Sequence, residues 1–393
     1  MKNKTLRVLS MLLVLVMVLG LCACGAGNPA TPAESSAAES SAEAPAEVKL
    51  KIGIITTSGI DDGSFNQNCY EGITDFIATH PDCTVTDVKE ADLSKVIETV
   101  GALVGSYDVM VLPGFNFAAI AEIAQANTDK YFIVVDSTIT DLEGNAVSGL
   151  PNVYTMTFKE EETGFCAGLA AALTTETGKV AVVNGIAFPS NVNYEVGFMA
   201  GVNYANAHFG TSVEYVEIPS YAGEAVVPYN GSTNVGGNYV GDFGDQAKGK
   251  EVAEALIAQG VDIIFPAAGS SGNGCFTAIM ENGKGYCIGC DTDQYDQGQA
   301  GDRNIILTSG LKVMDRNITE QLTAIYDGTF KGGDDLLGAS TDSTGFVSKE
   351  GRHQLSADAL EKMNQAYEDL KAGKIVPPSN FNGYSETDFP GLK

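Results

Sequence analysis

The chain has 393 residues, with 50 acidic against 23 basic side chains, a formal net charge of −27 at pH 7, and three histidines. A field of that sign excludes nucleic acid and anionic membrane surfaces as partners. Metal chemistry is short of material as well: Cys287-Ile-Gly-Cys290 has metal-knuckle or redox spacing, but no second CxxC or nearby histidine completes it. Two buried thiols at a strand end are the reading kept, with no metal and no cofactor expected.

At the N-terminus, Lys2, Lys4 and Arg7 form a basic head before the apolar run VLSMLLVLVMVLGLCAC. That run is short for a membrane span and ends among small residues, so residues 1–23 read as a secretory signal. Its end, Leu21-Cys22-Ala23-Cys24, resembles a bacterial lipobox. The resemblance implies a product that begins at an acylated Cys24 on the extracytoplasmic face of the cell membrane. Cys22 fits less well, because Leu21 would stand where a small residue is wanted. Residues 24–48 are Ala, Ser, Glu and Pro with no aromatic, too poor in apolar surface to fold, and read as a disordered tether.

From 49 onward, strand-like and helix-like segments alternate. KLKIGII reads as a strand, and Phe65, Cys69, Ile73, Phe76 and Ile77 recur at helical spacing after it. TVTDVKE is β-branched, and Leu93, Val96, Ile97, Val100, Leu103 and Val104 trace one helical face. Then come YDVMVLPG, a helix in FAAIAEIAQAN, and strands in YFIVVDS and NVYTMTF. The second half repeats the rhythm: KVAVVNG, a helix through YEVGFMAGVNYA, SVEYVEI, a helix in AKGKEVAEALIAQG, VDIIFPAAG, a helix in GCFTAIMENG, and GYCIGCD. So long a series of β-α units exceeds one core, and two doubly wound parallel sheets are the expected architecture. We expect lobe 1 at 49–158 plus 308–335 and lobe 2 at 159–307 plus 336–393.

Open α/β sheets bind ligands beyond the carboxyl ends of their strands. Those ends fall at Ser58 to Phe65, Gly114-Phe115-Asn116, Asp136-Ser137, Gly185 to Pro189, Gly269 to Gly274 and Asp291 to Gln294. Each has a structural reading too: Asp62 or Ser64 as a helix N-cap, Asp136 as a turn cap, the glycines of GSSGNG as sites of positive φ. GSSGNG also lacks the GK[ST] ending of a phosphate loop.

With DDGSFNQ…EG (61–72), EEETGFCAGLAA (160–171), GFMAG (197–201), DFGDQAKGKEVA (242–253), GVDIIFPAAG (260–269), IGCDTDQ (288–294), LTSGLK (307–312) and AGKIVPP (372–378), the chain resembles the basic-membrane-protein-type lipoproteins. These are purine nucleoside-binding components of ABC importers. The resemblance implies a type I periplasmic binding protein fold, with two lobes joined by a hinge and a ligand between them. By motif, it places the base between Phe65 and Phe243 and the ribose on Asp291 and Lys312. Asp136 falls on the base edge or the nearby sugar, and Asp62, Ser64, Asn66 and Gly269 line the cleft. It also implies a monomer that works with a permease and an ATPase. One departure stands out: residues 220–241 are longer and richer in Gly, Asn and Tyr than the family's usual approach to DFGD. This stretch either adds contacts over the cleft or shifts Phe243.

Three functions follow: a lipid-anchored receptor that delivers a nucleoside to an importer, a sensor of the same fold, or a nucleoside hydrolase using Asp61 and Asp62. The hydrolase needs a cluster of metal-binding aspartates that the sequence does not offer. Asp61-Asp62-Gly63 is better read as the turn that presents Phe65 at the cleft mouth.

Overall fold

In the computed structural model the described residues are 49–229 and 231–380. The signal, the tether and Cys24 lie outside them, as do residues 381–393.

The first half runs β1 (Leu50–Thr56), α1 (Phe65–Thr79), β2 (Cys83–Lys89), α2 (Val96–Leu103), β3 (Val109–Pro113), α3 (Ala121–Ala126), β4 (Tyr131–Val135) and β5 (Val153–Phe158). The chain continues through α4 (Glu160–Thr174), β6 (Lys179–Asn184), α5 (Pro189–Phe209), β7 (Glu214–Tyr215), β8 (Gly223–Tyr229), β9 (Ser232–Gly236), α6 (Gln246–Ala258), β10 (Ile263–Ala267), α7 (Gly272–Asn282) and β11 (Tyr286–Gly289). It ends with β12 (Gln299–Ala300), β13 (Arg303–Asn304), β14 (Ile306–Lys312), α8 (Met314–Tyr326), β15 (Gly333–Leu337), β16 (Thr344–Phe346) and α9 (Ala357–Lys371).

Two six-stranded sheets result, ordered β15-β5-β4-β3-β1-β2 and β16-β14-β11-β10-β6-β7. Every pairing is parallel except β14 with β16. Helices cover both faces, which is why β3 and β10 are buried along their whole length and read as unbroken apolar runs rather than alternating ones. The two-lobed, doubly wound architecture is the one the sequence implies. Its strand order reverses between β1 and β3 in one sheet and between β6 and β10 in the other, and both switch points face the same cleft.

Two of the lobe limits differ. Residues 308–312 belong to β14 in the second sheet, and β15 stays in the first sheet as far as Leu337. The chain therefore crosses between lobes at 159, 313 and 338, not at 308 and 336. An apolar run announces a strand, but which sheet it joins depends on long-range pairing. The crossings are tied together: Lys159 N donates to Leu337 O at 2.8 Å, and Val313 N to Ser343 O at 2.9 Å.

Helices α4 and α5 explain two motifs that the sequence left without a task. Gly164 and Gly168 of α4 face Gly197 and Gly201 of α5 so closely that a methyl group on any of them would strike the opposing backbone. The spacing of four residues in EEETGFCAGLAA and GFMAG puts both glycines of each helix on one face. This contact sets the amino end of α4 beside the first turns of α5.

The 220–241 stretch forms the antiparallel β8–β9 hairpin. Beyond it the chain is pinned under the second sheet: the buried Asn238 amide donates to Val182 O and Val216 O, both at 3.0 Å.

Candidate functional site

A cleft with about 600 Å³ of space between atoms, part of it continuous with solvent, lies where the carboxyl ends of both sheets meet. From the first lobe it is lined by the end of β1 and start of α1 (Ser58, Asp62, Phe65, Asn66), the end of β3 (Gly114, Phe115, Asn116) and Asp136 after β4. The second lobe contributes Phe188, Tyr194, Phe243, Gly269, Asp291 and Lys312. Eight of the nine residues singled out from sequence thus line one cleft, and the ninth, Ser64, does not line it but bonds to Asp291, which does.

At its floor, Lys312 is almost wholly buried. Its Nζ lies 2.5 Å from Asp136 Oδ2, 3.6 Å from Glu160 Oε1 and 3.9 Å from Asp291 Oδ1. It also sits 4.9 Å from the Phe65 ring centroid and 5.3 Å from that of Tyr194. Burial alone would depress the ammonium, but the carboxylates of Asp136, Glu160 and Asp291 outweigh it and hold the lysine above its ordinary value. Asp136 and Asp291 follow the equivalent strands β4 and β11 of the two sheets, and both have left-handed backbones, with φ of 61° and 69°. Such conformations are unusual outside glycine and gather at functional sites. Among the described residues, Asp136 Oδ1 is buried without a hydrogen-bond partner, an acceptor left for something that enters the cleft.

Asp291 is held from both lobes. Its Oδ1 accepts from Tyr194 OH at 2.6 Å and its Oδ2 from Ser64 Oγ at 3.0 Å. The Ser64 hydroxyl also reaches Cys290 O at 2.9 Å, so Ser64 acts across the cleft.

Asp62 behaves differently. Its carboxylate accepts from the backbone N–H of Ser64, Asn66 and Gln67, each at 3.0 Å. Burial pushes this carboxyl up, against the pull of those donors. It fastens the first turn of α1, and its oxygens are occupied by backbone. The Asn66 amide donates to Ser58 Oγ at 2.8 Å and so braces the mouth.

The aromatic wall is longer than the sequence suggested. Phe243 is tilted against Phe188, centroids 5.8 Å apart, and Phe188 against Phe115 at 5.4 Å. Phe65 approaches Gly114, where a side chain would reach its ring. Phe243 does not drift with the long segment before it: its carbonyl accepts from Ser271 N at 3.0 Å, and Gly241 N donates to Gly185 O at 2.9 Å. Gly185 is obligatory, because a Cβ there would collide with the Phe243 ring. Gly269 follows suit, with φ of 53° and the Phe243 backbone packed over it.

Phe115, Phe188, Tyr194 and Glu160 are site residues not singled out from sequence. Phe115 and Phe188 stand in strand-end segments named from sequence, but no role was given to either. Tyr194 and Glu160 lie inside helices, and nothing in their spacing separates them from core positions. Among the described residues no group of three or more His, Cys, Asp or Glu side chains could hold a metal ion, and the six cysteines are free and buried. No described helix is long and apolar enough to cross a membrane.

Two α/β lobes, three chain crossings and a ligand-sized cleft at paired switch points define a type I periplasmic binding protein fold. Solved structures share this fold: a solute-binding protein of an ABC transporter system from Aeropyrum pernix K1 superposes with a TM-score of 0.69 at 22% identity, covering 85% of this chain and 95% of that one. One from Conexibacter woesei gives 0.60 at 20%, covering 86% and 100%. The chain belongs to the Bmp family of PnrA-like ABC transporter substrate-binding proteins, whose model matches residues 49–220 and 226–378. It is therefore a substrate-binding component and not an enzyme. Among its relatives, a Listeria monocytogenes protein named CD4+ T-cell-stimulating antigen is 29% identical over 345 residues, 83% of this chain and 87% of that protein. A Lactococcus lactis protein named ABC transporter nucleoside-binding protein BmpA is 25% identical over 359 residues, 84% and 89% respectively.

Proposed function

We propose that the chain captures a nucleoside, of the purine type, between its lobes and delivers it to the permease and ATPase of an importer. In this reading it works as a monomer, tethered through lipidated Cys24 on the extracytoplasmic face of the membrane. One observation carries the proposal: a phenylalanine wall and a buried Asp136–Lys312–Asp291 cluster share one cleft. A nucleoside presents both complements, a π face for the rings and vicinal hydroxyls for the charged groups. Stacking contributes roughly 1–3 kcal/mol per base, and hydrogen bonds to charged groups are about twice as strong as neutral ones. Because Asp136 shares Lys312 with Asp291, it belongs to the sugar side. The base then lies along Phe65 and Phe243, with Ser58, Asn66 and Asn116 nearest its edge. The name of the Lactococcus lactis relative points the same way.

The test is isothermal calorimetry of the purified protein against guanosine, inosine, adenosine, free bases, pentoses and amino acids. Saturable binding of at least one purine nucleoside, tighter than its base or sugar alone, is expected. Binding of a pentose or an amino acid with no response to any nucleoside overturns the reading.

A further inference from the structure

The contacts that hold Lys312 do not stop at the cleft. Beyond it, Glu160 Oε1 lies 3.6 Å from Lys312 Nζ, and the other oxygen of that carboxyl accepts from Asn193 Nδ2 at 3.1 Å. The same Asn193 amide donates to Asn380 Oδ1 at 2.8 Å, and its oxygen accepts from Asn380 N at 3.0 Å. Both functions of the amide are engaged, which fixes its orientation. Glu160 and Asn193 are buried, at 2% and 0% exposure, and the segment Pro377–Ser379 that leads to Asn380 is buried against the second lobe. Glu160 and Asn193 do not line the main cleft; they face a smaller cavity on the far side of Asp136, shared with Thr157, Ser190 and Asn380.

A lysine set among three carboxylates can lean towards any of them, so its place depends on which are charged and where they are aimed. We propose that Glu160 and Asn193 are positioning residues for Lys312, and that the C-terminal segment, through Asn380, sets their orientation and thereby tunes ligand capture without touching the ligand. This rests on the reading that Lys312 meets the ligand. A charge on Glu160 would draw Lys312 away from Asp136 and add an unbalanced anion to a dry pocket. Burial pushes the Glu160 carboxyl up to about 8, against the opposing pull of Lys312, so its charge is lost or gained as pH passes through that range. The groups around it are Asp136 after β4, Glu161 on α4, Asn193 and Tyr194 on α5, Asp291 after β11, Lys312 on β14 and Asn380. Glu161 is itself buried, and burial pushes it up, so it too resists ionisation.

The experiment measures the affinity of the nucleoside that binds best, by calorimetry from pH 6.5 to 9.5, for wild type, Glu160→Gln, Glu160→Ala, Asn193→Ala and Asn380→Ala. Wild type should lose about tenfold on the alkaline side, as expected when a charge appears beside the site. Glu160→Gln, which keeps the amide contact and cannot ionise, should lose less than half of that factor. Comparing the two at each pH cancels any titration of the ligand. At pH 7, Glu160→Ala should bind at least about tenfold more weakly than Glu160→Gln. Asn380→Ala, which removes a group near the surface, should weaken binding about threefold even if Asn193→Ala fails to fold. The same alkaline loss in wild type and Glu160→Gln, or wild-type affinity in Asn380→Ala, overturns the proposal while leaving the nucleoside reading intact. Failure of wild type to bind any nucleoside removes that reading and the proposal together.

Discussion

Phe243, before α6, and Asp291, after β11, illustrate two ways in which a side chain can serve a cleft. Phe243 is half-buried and contributes a face, so its replacement removes surface and little else. Asp291 is buried and accepts from Tyr194 and Ser64, so truncation would leave two donors unmatched as well as the ligand. Asp291→Asn is the better probe, since the amide oxygen can keep an acceptor while the charge is lost. We expect Phe65→Ala and Phe243→Ala each to weaken nucleoside binding by about 1–3 kcal/mol, because either deletes one side of a stack. Asp291→Asn should cost at least about 1.5 kcal/mol, the worth of a hydrogen bond to a charged group. Calorimetry decides this, with the ligand-free melting temperature as control. Wild-type affinity in Asp291→Asn would make that aspartate a strut, as Asp62 is for α1.

Among the elements, the edge of the second sheet carries a pH-sensitive joint. Glu195 on α5 is buried between β6, β7 and the segment after β9. It accepts from Tyr239 OH at 2.5 Å, Tyr215 OH at 3.0 Å and Asn184 Nδ2 at 3.3 Å. Burial pushes its carboxyl up to about 7 despite these donors, and the nearby Glu217 charge adds to the rise. The folded value lies above the unfolded one, near 4.5, so folding favours the protonated form. Its stability contribution is complete below about 4.5 and is lost as pH rises through 7. The span amounts to a difference on the order of 3 kcal/mol. Chemical denaturation of Glu195→Gln should show a flatter stability profile between pH 5 and pH 8 than wild type. An unchanged slope would mean that another group governs that window. Through Tyr239, the same joint anchors the 220–241 segment to the second lobe.

At the scale of the whole molecule, the lobes hold each other through the first turn of the cleft. Gly63 O accepts from the side-chain amides of Gln294 and Gln297, both at 2.9 Å, and Asp62 O from Asn273 Nδ2 at 3.3 Å. With Ser64 on Asp291 and Cys290 O, these form a latch across the cleft. A ligand touching both lobes shifts the balance further by its differential affinity for the closed form. Gln294 Oε1 also accepts from Cys290 N at 2.8 Å beside Asp291, so Gln297, which lines no part of the cleft, is the latch donor whose removal should weaken binding through the opening equilibrium. Gln297→Ala should increase the ligand-free radius of gyration in small-angle scattering and lower affinity, with the liganded radius unchanged. Identical ligand-free scattering of variant and wild type would show that these contacts do not govern closure.

How much of this was legible depends on the range of the interactions involved. The alternation of apolar runs and helical faces follows from local burial, so the α/β class, the two lobes and the strand ends where Phe65, Asp136 and Asp291 stand were legible in the sequence by itself, while Phe243 and Lys312 came from motif resemblance alone. Its motifs also implied the family. Only the tertiary structure decided that β14 carries Lys312 within the second lobe, because sheet membership is settled by pairing between distant segments. It alone turned GFMAG and EEETGFCAGLAA into a backbone-to-backbone helix contact, and it alone brought Glu160, Asn193 and Tyr194 to the charged floor. Those three look like core positions of ordinary helices in the sequence. What makes them part of the site is the close approach of α4 and α5, a property of two glycine faces meeting and not of any one stretch of chain.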